Sequence, residues 1–194
     1  MGNGTSTYDS ILECTRALIV TGGYNGFSYA DIANAVGIRK ASIHHHFPTK
    51  ADLVRTMVAQ YRMEAETGLA NLAAVHPNPV DQLRAYTGYW AACIGDQTRP
   101  FCICALLATE MPALPAEIGT EVTAYFRILS RWLISLFEQA AERGDIALTG
   151  PASIEADMFM ATVHGAMLSA RAFGDPALFG MIVEPLLERL FTAA

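Results

Sequence analysis

Lysine is nearly absent: Lys40 and Lys50 are the two in 194 residues. Cysteine is scarce as well, and Cys14, Cys93, Cys102 and Cys104 are too scattered for a disulfide framework in a chain this long. No apolar run reaches the roughly 18 residues of a membrane-spanning helix, so no membrane is expected as a partner. Alternating apolar and polar stretches rich in β-branched residues are missing, which argues against strands. The opening Met1–Ser6 lacks the basic-then-apolar run of a secretion signal. Gly2 and Ser6 fit the loose myristoylation pattern, a fit that chance supplies often. The cytoplasm is the expected compartment. What the chain does have is apolar bulk: 52% hydrophobic against 16% charged residues, which excludes disorder and supplies a core.

The charge is unevenly spread. Thirteen basic and nineteen acidic side chains give −6, a poor sum for a nucleic-acid binder. Residues 1–55, however, hold five basic side chains (Arg16, Arg39, Lys40, Lys50, Arg55) against four acidic ones (Asp9, Glu13, Asp31, Asp52). The acidic excess therefore lies beyond residue 55, and only the front of the chain suits a polyanion.

Almost every segment reads as helix. The first runs from about Tyr8 to Gly22, ended by Gly22-Gly23, after which Tyr24 and Phe27 turn inward. Ser28 with Asp31 three residues later marks the start of a second, which carries Ile32, Ala33 and Val36 and stops at Gly37. A third spans about Arg39 to His46, and Thr49 caps a fourth from Lys50 to about Leu72. His76-Pro77-Asn78-Pro79 is the clearest break. Five more helices follow: Val80 to Asp96, Phe101 to Glu110, Pro115 or Ala116 to about Arg143, one that follows Pro151 and Ala152 and reaches about Phe173, and Pro176 to Phe191.

The second and third helices, joined by a glycine turn, have helix-turn-helix spacing. Ala33 is small enough for close approach, Gly37 permits the turn, and Ile38 and Ile43 anchor the third helix. Arg39, Lys40, Ser42, His44 and His45 are left facing outward, a basic and hydrogen-bonding face suited to a major groove. Lys50 beside Thr49 offers a cation and backbone amides to a phosphate. The His44-His45-His46 tract is not expected to bind metal, because adjacent helical residues point about 100° apart. His46, next to Phe47, is expected against the core.

The stretch from Ser28 to Leu53, SYADIANAVGIRKASIHHHFPTKADL, closely resembles the DNA-binding signature of TetR-family transcriptional regulators. The resemblance implies an N-terminal three-helix DNA-binding domain over 1–50 and a six-helix ligand-binding and dimerisation domain over 51–194. By position it implies that Arg39, Lys40, Ser42, His44 and His45 contact DNA from the recognition helix. It assigns Ser28, Tyr29 and Lys50 to the phosphate backbone. His44 stands where the family most often has tyrosine; it keeps a hydrogen-bonding group and adds a pH-dependent charge.

Beyond residue 80 large aromatics mix with small residues. Tyr86, Tyr89, Trp90 and Cys93 follow i, i+3, i+4, i+7 spacing and make one helix face aromatic. Most such residues pack as plain core, but some should line a cavity between facing helices. The candidate lining is Tyr61, Tyr86, Trp90, Cys93, Cys102, Leu106, Tyr125, Phe126 and His164. Few charges face inward, so the expected effector is neutral, apolar or aromatic, oriented by Tyr86, Tyr125 or His164. Cys102 and Cys104, two apart on a helix, point about 200° apart and cannot pair. The segment from Phe101 to Glu110 resembles the sixth helix of a TetR subgroup that includes regulators of quinone, aldehyde and electrophile detoxification. There the cysteine matching Cys102 senses electrophiles in some members, and Arg99 would lower its pKa. The plainer alternative is a small buried hydrophobe.

Ala161, Gly165, Ala166, Ser169 and Ala172 line the eighth helix with small residues, flanked by Met158, Met167 and Leu168. The ninth offers Phe179, Ile182, Leu186 and Leu190 at helical spacing, kinked at Pro185. Ala161, Gly165, Leu168, Phe179, Ile182, Leu186 and Leu190 are thus the candidate homodimer surface. Together these features point to an all-α, homodimeric repressor without cofactor or metal, reading a pseudo-palindromic double-stranded operator and releasing it to a small effector. The alternatives are an all-helical enzyme using Cys102 or His164, and a DNA-binding activator or nucleoid-type binder.

Overall fold

Local signals set most of the helix ends. In the computed structural model, which describes residues 6–97 and 101–192, Ser6 caps α1 (Thr7–Gly22) by accepting from the Asp9 N–H at 3.1 Å. Helix α2 (Tyr29–Val36) opens on a reciprocal cap. Ser28 Oγ accepts from the Ala30 N–H, and Asp31 Oδ2 accepts from the Ser28 N–H at 2.7 Å. It closes at Gly37, whose φ of +74° is left-handed, a conformation that would strain a residue with a Cβ. That turn lets α3 (Lys40–His46) begin three residues later. Thr49 caps α4 (Lys50–Val75), its Oγ1 accepting from the Asp52 N–H at 3.0 Å and donating to Asp52 Oδ2 at 2.7 Å.

Asn78 starts α5 (Pro79–Gly95) by accepting from the Val80 N–H, and Pro79 occupies the first position, where its missing donor costs nothing. Helices α6 (Ile103–Thr109), α7 (Ala116–Glu142), α8 (Ala152–Phe173) and α9 (Ala177–Thr192) complete the order. Short 3₁₀ turns lie at Tyr24–Gly26 and Met111–Ala113. Among the described residues there is no strand, and no helix is long and apolar enough to cross a membrane. The all-α expectation holds, and Thr49, Gly37 and Ser28 act at the ends assigned to them. The acylation pattern at Gly2 and the Arg99 proposed to act on Cys102 lie outside the described residues.

Two compact units form. One comprises Met1–Met63 with Ile103–Tyr125, the other Glu64–Cys102 with Phe126–Ala194. The first is built on Ile11, Ile19, Ile32, Ile43, Leu53, Met57, Leu107 and Ile118, all essentially enclosed. Each such side chain contributes about 2 kcal/mol by leaving water, and Ile43 in particular fastens α3 to the rest. The second is built on Leu83, Leu133, Phe137, Phe159, Val163 and Phe179, with the Phe137 and Phe159 rings edge to face at 5.9 Å.

Several expectations need correction. The sixth helix starts at Ile103, not Phe101, because Phe101 is buried under the Arg171 guanidinium, 5.4 Å from its ring centroid. Cys102 therefore precedes the helix, and the angular argument about Cys102 and Cys104 does not apply. Both thiols are buried, and the cysteines among the described residues form no disulfide. Tyr89 is 45% exposed instead of joining Tyr86, Trp90 and Cys93 inside, since it lies about a quarter-turn from the centre of the buried face. His46 is exposed, edge-on to Tyr8 with centroids 5.9 Å apart, and not against the core.

Phe179 is 1% exposed and so cannot belong to a surface between subunits. Phe179, Val183 and Leu187, spaced by four, form the inward seam of α9, while Ile182, Leu186 and Leu190 sit half-buried at its edge. Met167 and Ala166 also turn inward.

Candidate nucleic-acid interface

Arg39, at the start of α3, and Lys40, His44 and His45, along it, are exposed, and Ser42 is half-buried. Arg39 and Lys40 hold no hydrogen bond or close ion pair among the described residues. Lys40 lies near enough to Asp31 to feel its charge. Opposite them Ile43 is fully enclosed, so the third helix has one anchored side and one cationic side. The Ser28 hydrogen bonds hold the exposed Asp31 carboxyl below its usual range.

Tyr29 and Lys50 are committed in ways their sequence positions did not show. The Tyr29 hydroxyl donates to the Phe47 carbonyl at 2.9 Å, and burial pushes its pKa up to about 12. Its single proton is thus directed at the end of α3, and its ring meets His44 at 4.7 Å. Here the tyrosine braces the end of α3. His44 Nδ1 lies 3.3 Å from the Pro48 carbonyl; a carbonyl only accepts, so Nδ1 carries the proton there. Lys50 Nζ donates to the Phe27 carbonyl and lies over the rings of Phe27 (4.1 Å) and Tyr24 (4.8 Å). Burial lowers its pKa, although the residue keeps partial exposure and two further donors.

The candidate effector residues fall into separate groups. In the first unit Tyr61 and Tyr125 pair at 5.5 Å, and Leu106 is half-buried. In the second, Tyr86 and Trp132 meet at 5.4 Å, with Trp90 and Cys93 buried on the same helix as Tyr86. Burial, and after it the nearby Cys102, pushes the Tyr86 phenol far up. Phe126 and His164 meet at 5.4 Å. Burial drives the His164 pKa down to about 4, the Met160 backbone opposing it. Among the described residues the ring nitrogens Trp132 Nε1 and His164 Nε2 are enclosed without a hydrogen-bond partner, whereas the Trp90 indole is directed at the Tyr86 hydroxyl. Among the described residues no three His, Cys, Asp or Glu side chains converge as metal ligands.

Sequence reasoning counted Trp132 among the aromatics beyond residue 80 but left it out of the candidate lining, and it missed the joint between Glu110 and Tyr24. Both Glu110 carboxylate oxygens accept from the Tyr24 N–H, at 3.2 and 3.1 Å, across 86 residues. Nothing local to either residue signals a contact so remote in the chain. The Arg62–Glu121 pair, at 2.9 Å, escaped for the same reason.

The helix order agrees with comparisons to known proteins. Residues 11–57 match the family described as bacterial regulatory proteins, tetR family, and residues 79–184 match the tetracyclin repressor-like C-terminal domain. The chain belongs to the TetR family. TetR-family proteins are DNA-binding transcriptional regulators. A TetR-family transcriptional regulator of Agrobacterium tumefaciens is 59% identical, covers 95% of this chain and 97% of its own, and superposes with a TM-score of 0.93. The HTH-type transcriptional regulator YvkB of Bacillus subtilis is 22% identical over 182 residues, 94% of this chain and 92% of YvkB. AibR, solved with isovaleryl coenzyme A and operator DNA, is 25% identical, covers 97% of this chain and all of its own, and gives a TM-score of 0.74.

Proposed function

We propose that this TetR-family chain is a homodimeric, cytoplasmic repressor that binds a pseudo-palindromic operator and releases it when a small apolar effector enters the region beyond residue 50. The observation that carries the reading is α3: Arg39 and Lys40 stand in solvent with no hydrogen bond or close ion pair among the described residues, on a helix pinned from behind by Ile43 and braced by Tyr29. Arg39, Lys40, Ser42, His44 and His45 read base edges and phosphates, while Ser28 and Lys50 flank them at helix N-termini.

Homodimerisation is supported by α8. Ile154, Met158, Ala161, Gly165, Leu168 and Ala172 are exposed and spaced alternately by four and three, the repeat of a helix-packing seam. Such an apolar stripe is unusual on a surface facing water. Two heads on one dimer gain avidity that a single head lacks.

An effector is supported by the enclosed aromatic residues. The Trp132 indole N–H and a neutral His164 ring nitrogen, neither with a hydrogen-bond partner among the described residues, complement an uncharged group bearing carbonyl or hydroxyl oxygens. AibR, solved with isovaleryl coenzyme A and operator DNA, is a relative that takes up a small molecule, one with an apolar acyl end and a charged coenzyme A end. An electrophilic effector acting at Cys102 has less support, since that thiol is 0% exposed and reactive thiols sit in accessible surroundings.

The test is selection of duplexes from a random pool by the purified protein. A pseudo-palindromic site should emerge, and Arg39→Ala should relax preference at one base position at a cost of about 1–3 kcal/mol. An equal loss on every sequence would remove Arg39 from the groove, and failure to enrich any sequence would sink the reading. Trp90 and Trp132, the two tryptophans of the chain, supply an intrinsic fluorescence signal for effector screening.

A further inference from the structure

The match to the DNA-binding part of the family ends at residue 57, yet the first compact unit also takes in Ile103–Tyr125. Glu110, between α6 and the Met111–Ala113 turn, is where that segment grips the head. Its carboxylate accepts from the Tyr24 N–H, with which the short turn between α1 and α2 begins. Gly23 makes the seat. It has φ +71°, and a Cβ there would lie 2.2 Å from Glu110 Oε1. The Tyr24 ring in turn lies under the Lys50 ammonium, which donates to Phe27, the residue preceding the Ser28 cap of α2. A continuous path therefore runs from the end of α6 through Tyr24 and Lys50 to the start of the helix-turn-helix.

We propose that Glu110 is a positioning residue of the DNA-binding head, acting through the Tyr24 backbone amide to fix the α1–α2 turn and, with it, Lys50 and the start of α2. The claim rests on the reading of α2 and α3 as the DNA-binding surface. Displacement of the end of α6 would withdraw the carboxylate and loosen that turn, so Glu110 also gives α6 a direct hold on the head. Two consequences of the carboxylate have opposite signs. As a negative charge near an anion-binding surface it weakens DNA binding. As a charged hydrogen-bond acceptor for an otherwise unpartnered amide it strengthens binding by ordering the turn.

Four variants separate these effects. Glu110→Gln keeps an acceptor oxygen and drops the charge; Glu110→Ala and the similarly long Glu110→Met drop both. Glu117→Gln removes an exposed neighbouring charge that acts on Tyr24 without bonding to the turn. The readouts are affinity for a duplex selected by the wild type at fixed salt and hydrogen exchange of the Tyr24 amide in protein without DNA. Loss of the acceptor should weaken DNA binding about tenfold, the worth of one charge-assisted hydrogen bond, and speed Tyr24 exchange by a similar factor. Glu110→Gln should stay within about twofold of wild type, and Glu117→Gln should bind no more weakly. The proposal is overturned if Glu110→Ala and Glu110→Met bind as well as wild type, or if Glu110→Gln fails as badly as they do. Should Glu110→Ala not fold, Glu110→Met carries the comparison. If the wild type selects no duplex, the DNA-binding reading fails; unchanged Tyr24 exchange would separately refute the joint.

Discussion

The head and the interior of the second unit handle polar atoms in opposite ways. In the head, local and remote partners absorb polar groups that shape the backbone: Ser28 with Asp31, Thr49 with Asp52, Tyr29 with Phe47, Glu110 with Tyr24. What is left over is charge, and it stands in water on Arg39 and Lys40. In the second unit a ring nitrogen of Trp132 and one of His164 are enclosed without a hydrogen-bond partner among the described residues. An unpaired polar atom in a low-dielectric interior is costly, and a guest that completes its hydrogen bonds recovers that cost. A surface finished in advance suits rigid docking on a regular duplex, and an unfinished interior suits reception of a small molecule.

The largest effect should come from separating two heads while leaving each one intact. Leu168 is 58% exposed at the middle of the α8 stripe, so Leu168→Glu places a charge in the proposed seam without disturbing the protomer core. Sedimentation should show a monomer, and affinity for a two-half-site duplex should fall about 100-fold or more as avidity is lost. Phe179→Ala makes the contrast: it should leave assembly to follow folding and cost about 3–5 kcal/mol of unfolding free energy. A Leu168→Glu protein that stays dimeric would move the interface elsewhere.

The interior is tested next through His164. Its pKa is about 4 in the fold against 6.5 unperturbed, so between those values the unfolded chain binds a proton that the native state does not. Stability associated with this residue is therefore present above pH 6.5 and lost as pH falls towards 4. Up to about 3 kcal/mol is at stake, from a shift of roughly two and a half pH units. Denaturation of wild type and His164→Leu across this range should show the wild type losing more; parallel curves would mean the imidazole is not enclosed as a neutral group.

How much of this was legible beforehand follows from range in the chain. Ser28, Gly37, Thr49 and Ile43 act within a few residues of themselves, through caps, a turn and a helix face, and each was readable from its neighbours. The ends of α6 and the inward seam of α9 depend on what lies across from them. Phe101 is held out of α6 by Arg171, and Phe179 is taken inward together with Val183 and Leu187. A helical stripe of apolar residues states that something will cover it, but not whether the cover comes from the same chain or a second copy. Tyr29 and Lys50 show the same limit from the other side. Their residue types suit phosphate, while their hydrogen bonds to the Phe47 and Phe27 carbonyls come from tertiary placement.

The smallest effect belongs to Ser28, and it sharpens the division between building the head and touching DNA. Its Oγ accepts from the Ala30 N–H at 3.2 Å and donates to Asp31 Oδ2 at 2.7 Å, so as a cap alone it is worth about 1 kcal/mol. Glycine at the same position forfeits only a few tenths of a kcal/mol, because it leaves the helix end open to water. Ser28→Ala should therefore lower the urea midpoint measurably, with Ser28→Gly near wild type. If the hydroxyl serves the cap alone, DNA affinity should follow that order once folding is complete. Equal losses of affinity in both variants, with the Ser28→Gly midpoint preserved, would show a phosphate contact in addition, since the two substitutions remove the same hydroxyl but not the same stability.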